Sequence, residues 1–232
     1  MNFPRIVAID GPAASGKTTI ANQLAERWDY LFFDTGVMYR AVTWIALKNE
    51  ISIKDEPAIS SIAESVQIDV KPPSKDDGRE YDVLVDGIDV TWKIRKPAVD
   101  AKVSKVSAYS AVRKALTEQQ RRIGLEGKVI MVGRDIGTVV LPEADLKIFL
   151  DASVEERARR RFHQRMDRGE KADYPKILKK LKKRDKKDST REIAPLRAAA
   201  DAVVINTDTL SVADVVSRIE EYARKLDNET DA

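Results

Sequence analysis

Gly11-Pro12-Ala13-Ala14-Ser15-Gly16-Lys17-Thr18 decides how this chain is read. It matches G-x-x-x-x-G-K-[ST] at every position, and its context is the one that pattern needs. Before it lies Arg5-Ile6-Val7-Ala8-Ile9-Asp10, a short apolar run suited to a buried parallel strand. After it, from Lys17 to Trp28, Ile20, Leu24 and Trp28 recur on one helical face. A loop of this kind turns successive backbone N–H groups toward an anion, and the helix N-terminus adds positive potential. Gly11, Pro12, Ala13, Ala14, Ser15 and Gly16 therefore read as a phosphate cradle. Lys17 supplies a charge to the β- and γ-phosphates, and Thr18 a hydroxyl ligand for magnesium (Mg2+).

Further apolar runs follow outward from this loop, and five parallel strands are predicted at about 5–10, 31–33, 128–132, 146–150 and 202–206. Helical stretches separate them, so the prediction is an α/β fold with the sheet covered on both faces. Two segments break the alternation. Residues 64–100 hold the alternating runs Gln67-Ile68-Asp69-Val70 and Tyr81-Asp82-Val83-Leu84-Val85, with turns at Asp76-Asp77-Gly78 and Asp86-Gly87. They read as an inserted subdomain with a hairpin, followed by helices at about 97–107 and 109–125. Residues 154–191 are helical and basic. The core then comprises 1–63, 101–153 and 192–232, with the tail after Leu226 frayed.

Composition narrows the chemistry. Among 232 residues there is no cysteine and one histidine, which excludes disulfides, thiolate nucleophiles and zinc clusters. A metal here must be held by oxygens, as magnesium is. The formal net charge of +3 is too small to call for a nucleic-acid partner. In the basic segment only Phe162 and Tyr174 interleave with the cations, too few for a stacking platform. No stretch approaches a membrane span and no secretory signal is visible, so a cytoplasmic location is expected. Val37, Met38 and Val42 are read as core, Trp28, Trp44 and Trp92 as packing residues, and His163 as a solvated surface side chain. Asp10 suits a cap on the phosphate loop.

Arginines beside glycines and acids carry the next inference. Asp34-Thr35-Gly36-Val37-Met38-Tyr39-Arg40 follows the second strand, and Gly133-Arg134-Asp135-Ile136-Gly137-Thr138 the third. Arg184-Asp185-Lys186-Lys187-Asp188-Ser189-Thr190-Arg191 lies in the basic segment. Ligands of parallel α/β sheets gather at the carboxyl ends of strands, and arginine recognises phosphate bidentately. A second phosphate-bearing substrate facing the triphosphate follows. No Asn-Lys-x-Asp stretch supports a GTPase.

Together these motifs resemble the cytidylate kinase (CMP kinase) family of nucleoside-monophosphate kinases, from Ile6 to about Ala223, with Ile193-Ala194-Pro195-Leu196 a further match. The resemblance implies a P-loop kinase with a five-stranded parallel sheet, a monophosphate-binding insert and a helical lid. It implies transfer of the γ-phosphate of ATP to CMP or dCMP by a monomer with no nucleic-acid or membrane partner. It assigns Thr35 and Arg40 to the monophosphate, and Ser104, Arg113 and Asp135 to the cytosine edge. Arg134 meets the transfer point, Arg184 and Asp188 the ribose, and Arg191 the phosphates; Lys17, Arg134, Arg184 and Arg191 form the catalytic set. Arg157 and Arg161 fold over ATP. The chain departs from the family where many members carry an acid before Gly-Arg-Asp; here it is Val132, leaving Thr18 as the metal ligand with Asp34 as helper. The rivals are a kinase for another small acceptor, such as UMP or shikimate, and an NTP-dependent RNA-binding module.

Overall fold

A computed structural model describes residues 3–230. The main sheet holds β1 (Ile6–Asp10), β2 (Leu31–Asp34), β6 (Val129–Val132), β7 (Leu146–Asp151) and β8 (Val203–Asn206). Their order is β2-β6-β1-β7-β8, and every pairing is parallel. The five strands fall where the apolar runs put them. Four of them carry buried residues on both faces, as a sheet covered by helices requires; β8, at the edge, leaves Val204 exposed.

Helices α1 (Lys17–Trp28), α2 (Gly36–Lys48), α6 (Ser110–Gly124) and α9 (Val212–Thr230) pack around this sheet. Apolar positions Val215, Val216, Ile219 and Ala223 hold α9 down, so it continues past Leu226 to Thr230 instead of fraying; residues 231–232 lie outside the described residues. A helix absent from the sequence expectation, α3 (Glu56–Ser65), starts at Asp55, whose carboxylate accepts from Ala58 N, with Pro57 in the first turn.

The insert is an antiparallel sheet of β3 (Ile68–Lys71), β4 (Asp82–Val85) and the two-residue β5 (Ile88–Asp89). Asp86 and Gly87 both have positive φ, as a tight hairpin turn demands. Arg79 organises the preceding loop by bonding Asp77, Asp82 and Asp89. Trp92 is not packed away; it is 45% exposed, its indole N–H donating to Asp77 and its face against Arg95. The helix expected over 97–107 is two short ones, α4 (Pro97–Asp100) and α5 (Val103–Val106). The break falls where Lys102 N reaches only three residues back, to Val99.

One apolar cluster runs from the main sheet into the insert, joining Phe32, Phe33 and Ile130 to Ile68, Tyr81 and Val83. Val37, Met38, Val42 and Trp28 lie in it, as their pattern predicts. By contrast α7 (Val154–Asp167) and α8 (Tyr174–Thr190) form a helical pair with its own small core of Ala158, Ile177 and Leu181, closed by Ala13 of the phosphate loop. His163 is exposed on α7.

The insert is fastened to α6 by Gln119, which accepts from Ile68 N at 2.8 Å and donates to Val66 O at 2.9 Å. Changing Gln119→Leu leaves both backbone groups unpaired and should cost about 1–3 kcal/mol. Urea unfolding should show one transition shifted to lower midpoint, because the core is shared; two separated transitions would mean that the insert folds by itself.

Candidate active site

The phosphate loop leaves β1 through Gly11, which has φ 147°; a Cβ there would lie 2.1 Å from the Leu150 carbonyl oxygen. Gly11, Ala14 and Gly16 all take positive φ, which turns the loop's backbone round into the first turn of α1. Lys17 Nζ donates to Gly11 O at 2.8 Å, Pro12 O at 2.7 Å and Ser15 Oγ at 3.3 Å. Burial pushes its pKa well below the usual lysine value, and Arg134 and Arg184 push it the same way, against Asp34 and Asp10. Thr18 presents an exposed hydroxyl beside this lysine. Asp34 Oδ1 accepts from Gly36 N at 2.9 Å at the end of β2.

Across from the loop stand the arginines. Arg113, on α6, reaches Asp135 Oδ2 at 2.6 Å, and Arg191, just beyond α8, reaches Asp135 Oδ1 at 3.1 Å. Arg113 and Asp135 are each 5% exposed. Asp188 pairs with Arg134 at 3.2 Å and lies 3.7 Å from Arg184. Arg40 donates to Asp100 and, at 3.4 Å, to Ile94 O. Thr35 is buried at the head of α2, its hydroxyl donating to Val132 O at 3.0 Å. Ser104 is exposed on α5, where its carbonyl accepts from Lys187 of α8 at 2.7 Å. Lys17, Thr35, Arg113, Arg134, Asp135, Arg184, Asp188 and Arg191 thus share one region, with Arg40 and Ser104 at its insert side.

The two lid arginines differ in their surroundings. Arg157 is a buried clamp: its guanidinium donates to Ala152 O at 2.9 Å, Ala13 O at 3.2 Å and Asp185 at 2.7 Å. It thus touches the phosphate loop through the Ala13 carbonyl while its charge is paired with Asp185. Arg161 is exposed and bonds Gln164 at 2.7 Å.

The sequence gives no role to Tyr39 or Asp185, both of which shape the site, and it misplaces Asp10. Tyr39 lies under the Arg113 guanidinium, 5.5 Å from ring centroid to carbon. Asp185 neutralises Arg157. Asp10 does not cap the phosphate loop; its two oxygens accept from Ile136 N and Gly137 N at 2.8 Å each. Burial pushes its carboxyl up to about 6, against those two bonds. The pairing spans 126 and 127 positions, which no local pattern reports.

A phosphate loop at the head of a five-stranded parallel sheet, with paired arginines opposite its lysine, defines a P-loop kinase. The cytidylate kinase family model matches residues 7–225. A cytidylate kinase of Herpetosiphon aurantiacus is 48% identical over 219 residues, 94% of each chain. One of Geobacillus kaustophilus is 49% identical over 94% of this chain and 96% of its own. The chain belongs to the cytidylate kinase family. Among solved structures, an uncharacterized protein from Eubacterium ventriosum superposes with TM-score 0.51 at 12% identity, over 95% of this chain and 99% of that one, a likeness of fold alone.

Arginines 157, 159, 160, 161 and 165 crowd α7, Arg168 follows at its end, and the lid's own core is small. Amide exchange across residues 154–190 should therefore be fast in the free protein and slow when an ATP analogue and CMP bind together. Within it the first turns of α7, pinned by Arg157, should be protected from the start. Equal exchange with and without ligands would mean a rigid face and no lid.

Proposed function

We propose that this chain transfers the γ-phosphoryl group of ATP to CMP or dCMP. A phosphate oxygen of the monophosphate attacks the γ-phosphorus while the bond to the bridging oxygen of ADP breaks. No general base is needed, since the attacking oxygen already carries charge. Positioning and charge neutralisation supply the catalysis. In this reading the loop from Gly11 to Thr18 holds ATP. Arg134 and Arg184 draw charge from the transferring group, Thr35, Arg40 and Arg191 hold the acceptor phosphate, and Arg184 and Asp188 the ribose.

The observation that carries the reading is the Arg113–Asp135–Arg191 cluster, buried at Arg113 and Asp135. Cytosine offers an amino donor beside two acceptors, and a fixed carboxylate beside a fixed guanidinium is its complement. Arg113 Nε is buried without a hydrogen-bond partner, and a carboxylate has more acceptor sites than the two arginines use. Ser104 stands at the edge of the same site.

Magnesium fits the oxygens present. Among the described residues no group of three or more acidic or histidine side chains could hold a metal, so Thr18 and the phosphates would be its ligands, with Asp34 orienting bound water. Bound there, it would neutralise phosphate charge. The reading extends to a cytoplasmic monomer with no nucleic-acid or membrane partner. No helix among the described residues is long and apolar enough to cross a membrane. Much of the lid's charge is paired, as in Arg160–Glu156, Arg157–Asp185 and Lys182–Glu155, which supports a solvated face more than a nucleic-acid surface.

Uracil would set a carbonyl against Asp135 and an N–H against Arg113, so UMP should be disfavoured by on the order of a hundredfold in kcat/KM. Asp135→Ala should lower kcat/KM for CMP far more than for UMP. An equal fall on both bases would assign Asp135 to phosphate or metal handling instead.

A further inference from the structure

Residues Ile136–Val140 form a single helical turn directly after Arg134 and Asp135. Asp135 occupies the position from which an aspartate ordinarily caps such a turn, its side chain accepting the free backbone N–H groups that follow. It makes no such bond. Both its oxygens go to arginines, Oδ2 to Arg113 and Oδ1 to Arg191. The free N–H groups of Ile136 and Gly137 are taken by Asp10, at the end of β1.

We propose that Asp10 is a positioning residue that substitutes for Asp135 as the cap of this turn and so releases the Asp135 carboxylate to face the acceptor base. The proposal rests on the reading of Asp135 given under Proposed function. The neighbouring backbone supports it. Ile9 O accepts from Gly133 N at 3.1 Å, so β1 grips the chain just before Arg134 and, through Asp10, just after Asp135. The two functional side chains are carried on a loop held at both ends by consecutive residues of one strand. The next residue is Gly11, so the same strand end also carries the phosphate loop, and donor and acceptor sides share one anchor. Asp10 is 4% exposed, its ionised form disfavoured by burial and favoured by the two N–H groups it accepts.

Without Asp10, the turn's N–H groups lie unpaired, and Asp135, at the cap position, is placed to turn from the arginines and accept the one from Gly137. Asp10→Ala should therefore mimic loss of Asp135: the preference for CMP over UMP in kcat/KM should narrow by about tenfold or more. Asp10→Asn keeps one acceptor and should fall between. A residue that only stabilises the fold would lower the melting temperature and leave this ratio alone, and that result would overturn the proposal. Should Asp10→Ala not fold, Asp10→Asn decides the matter through NMR. Guanidinium protons of Arg113 and Arg191 should exchange faster with water in Asp10→Asn than in the wild-type protein, and unchanged exchange would overturn the proposal. That readout needs no substrate. If wild-type enzyme shows no base preference, the reading of Asp135 fails, while the exchange result still judges the capping role.

Discussion

Guanidinium groups repel one another, and a site that gathers several of them for phosphate must oppose that repulsion while it waits. Here two aspartates do so. Asp135 is shared by Arg113 and Arg191, and Asp188 by Arg134 and Arg184. Each holds two cations from different parts of the chain, so the loop after β6, helices α6 and α8 and the segment beyond α8 converge because their charges meet. Lys17 meets the same problem differently. It is folded onto the carbonyls of its own loop, with Arg134 and Arg184 close enough to disfavour its charge. On the proposed reading, incoming phosphates would relieve the repulsion on both sides and so couple binding to closure.

The sheet supplies the rigidity this arrangement needs. β1 lies at its centre, between β6 and β7, and its end carries both the phosphate loop and, through Ile9 and Asp10, the loop of Arg134 and Asp135. The insert shares the main core and brings Asp100 and Ile94 to Arg40. The lid is the exception: its core is its own, and Ala13 and the Arg157 clamp join it to the phosphate loop. The most rigid and the most independent parts of the molecule thus meet at one loop.

Much of this was legible in the sequence. The phosphate loop is a contiguous pattern in a diagnostic context, and the five strands are short apolar runs. Of the motif arginines, Arg134 sits just beyond the end of β6, where a parallel sheet puts its ligands. What was not legible depends on pairings far apart in the chain. Asp10 reads as a loop cap until its partners at Ile136 and Gly137 are known. Arg157 and Arg161 look alike in a run of arginines, and only the tertiary partners of Arg157, at Ala13, Ala152 and Asp185, decide that it is buried while Arg161 is exposed. Trp92 stays exposed because Asp77, itself held by Arg79, captures its N–H at the surface. Helix α3 was signalled by Asp55 and Pro57 but lay outside the apolar periodicity that drew attention elsewhere.

The central claim is that a fixed carboxylate–guanidinium pair makes this chain a kinase for cytosine monophosphates. The most direct measurement is ADP release by the wild-type protein with ATP across CMP, dCMP, UMP, AMP and shikimate. The account predicts kcat/KM for CMP or dCMP at least about a hundredfold above that for UMP, with AMP and shikimate lower still. UMP turned over as well as CMP, or shikimate preferred to both, would contradict it.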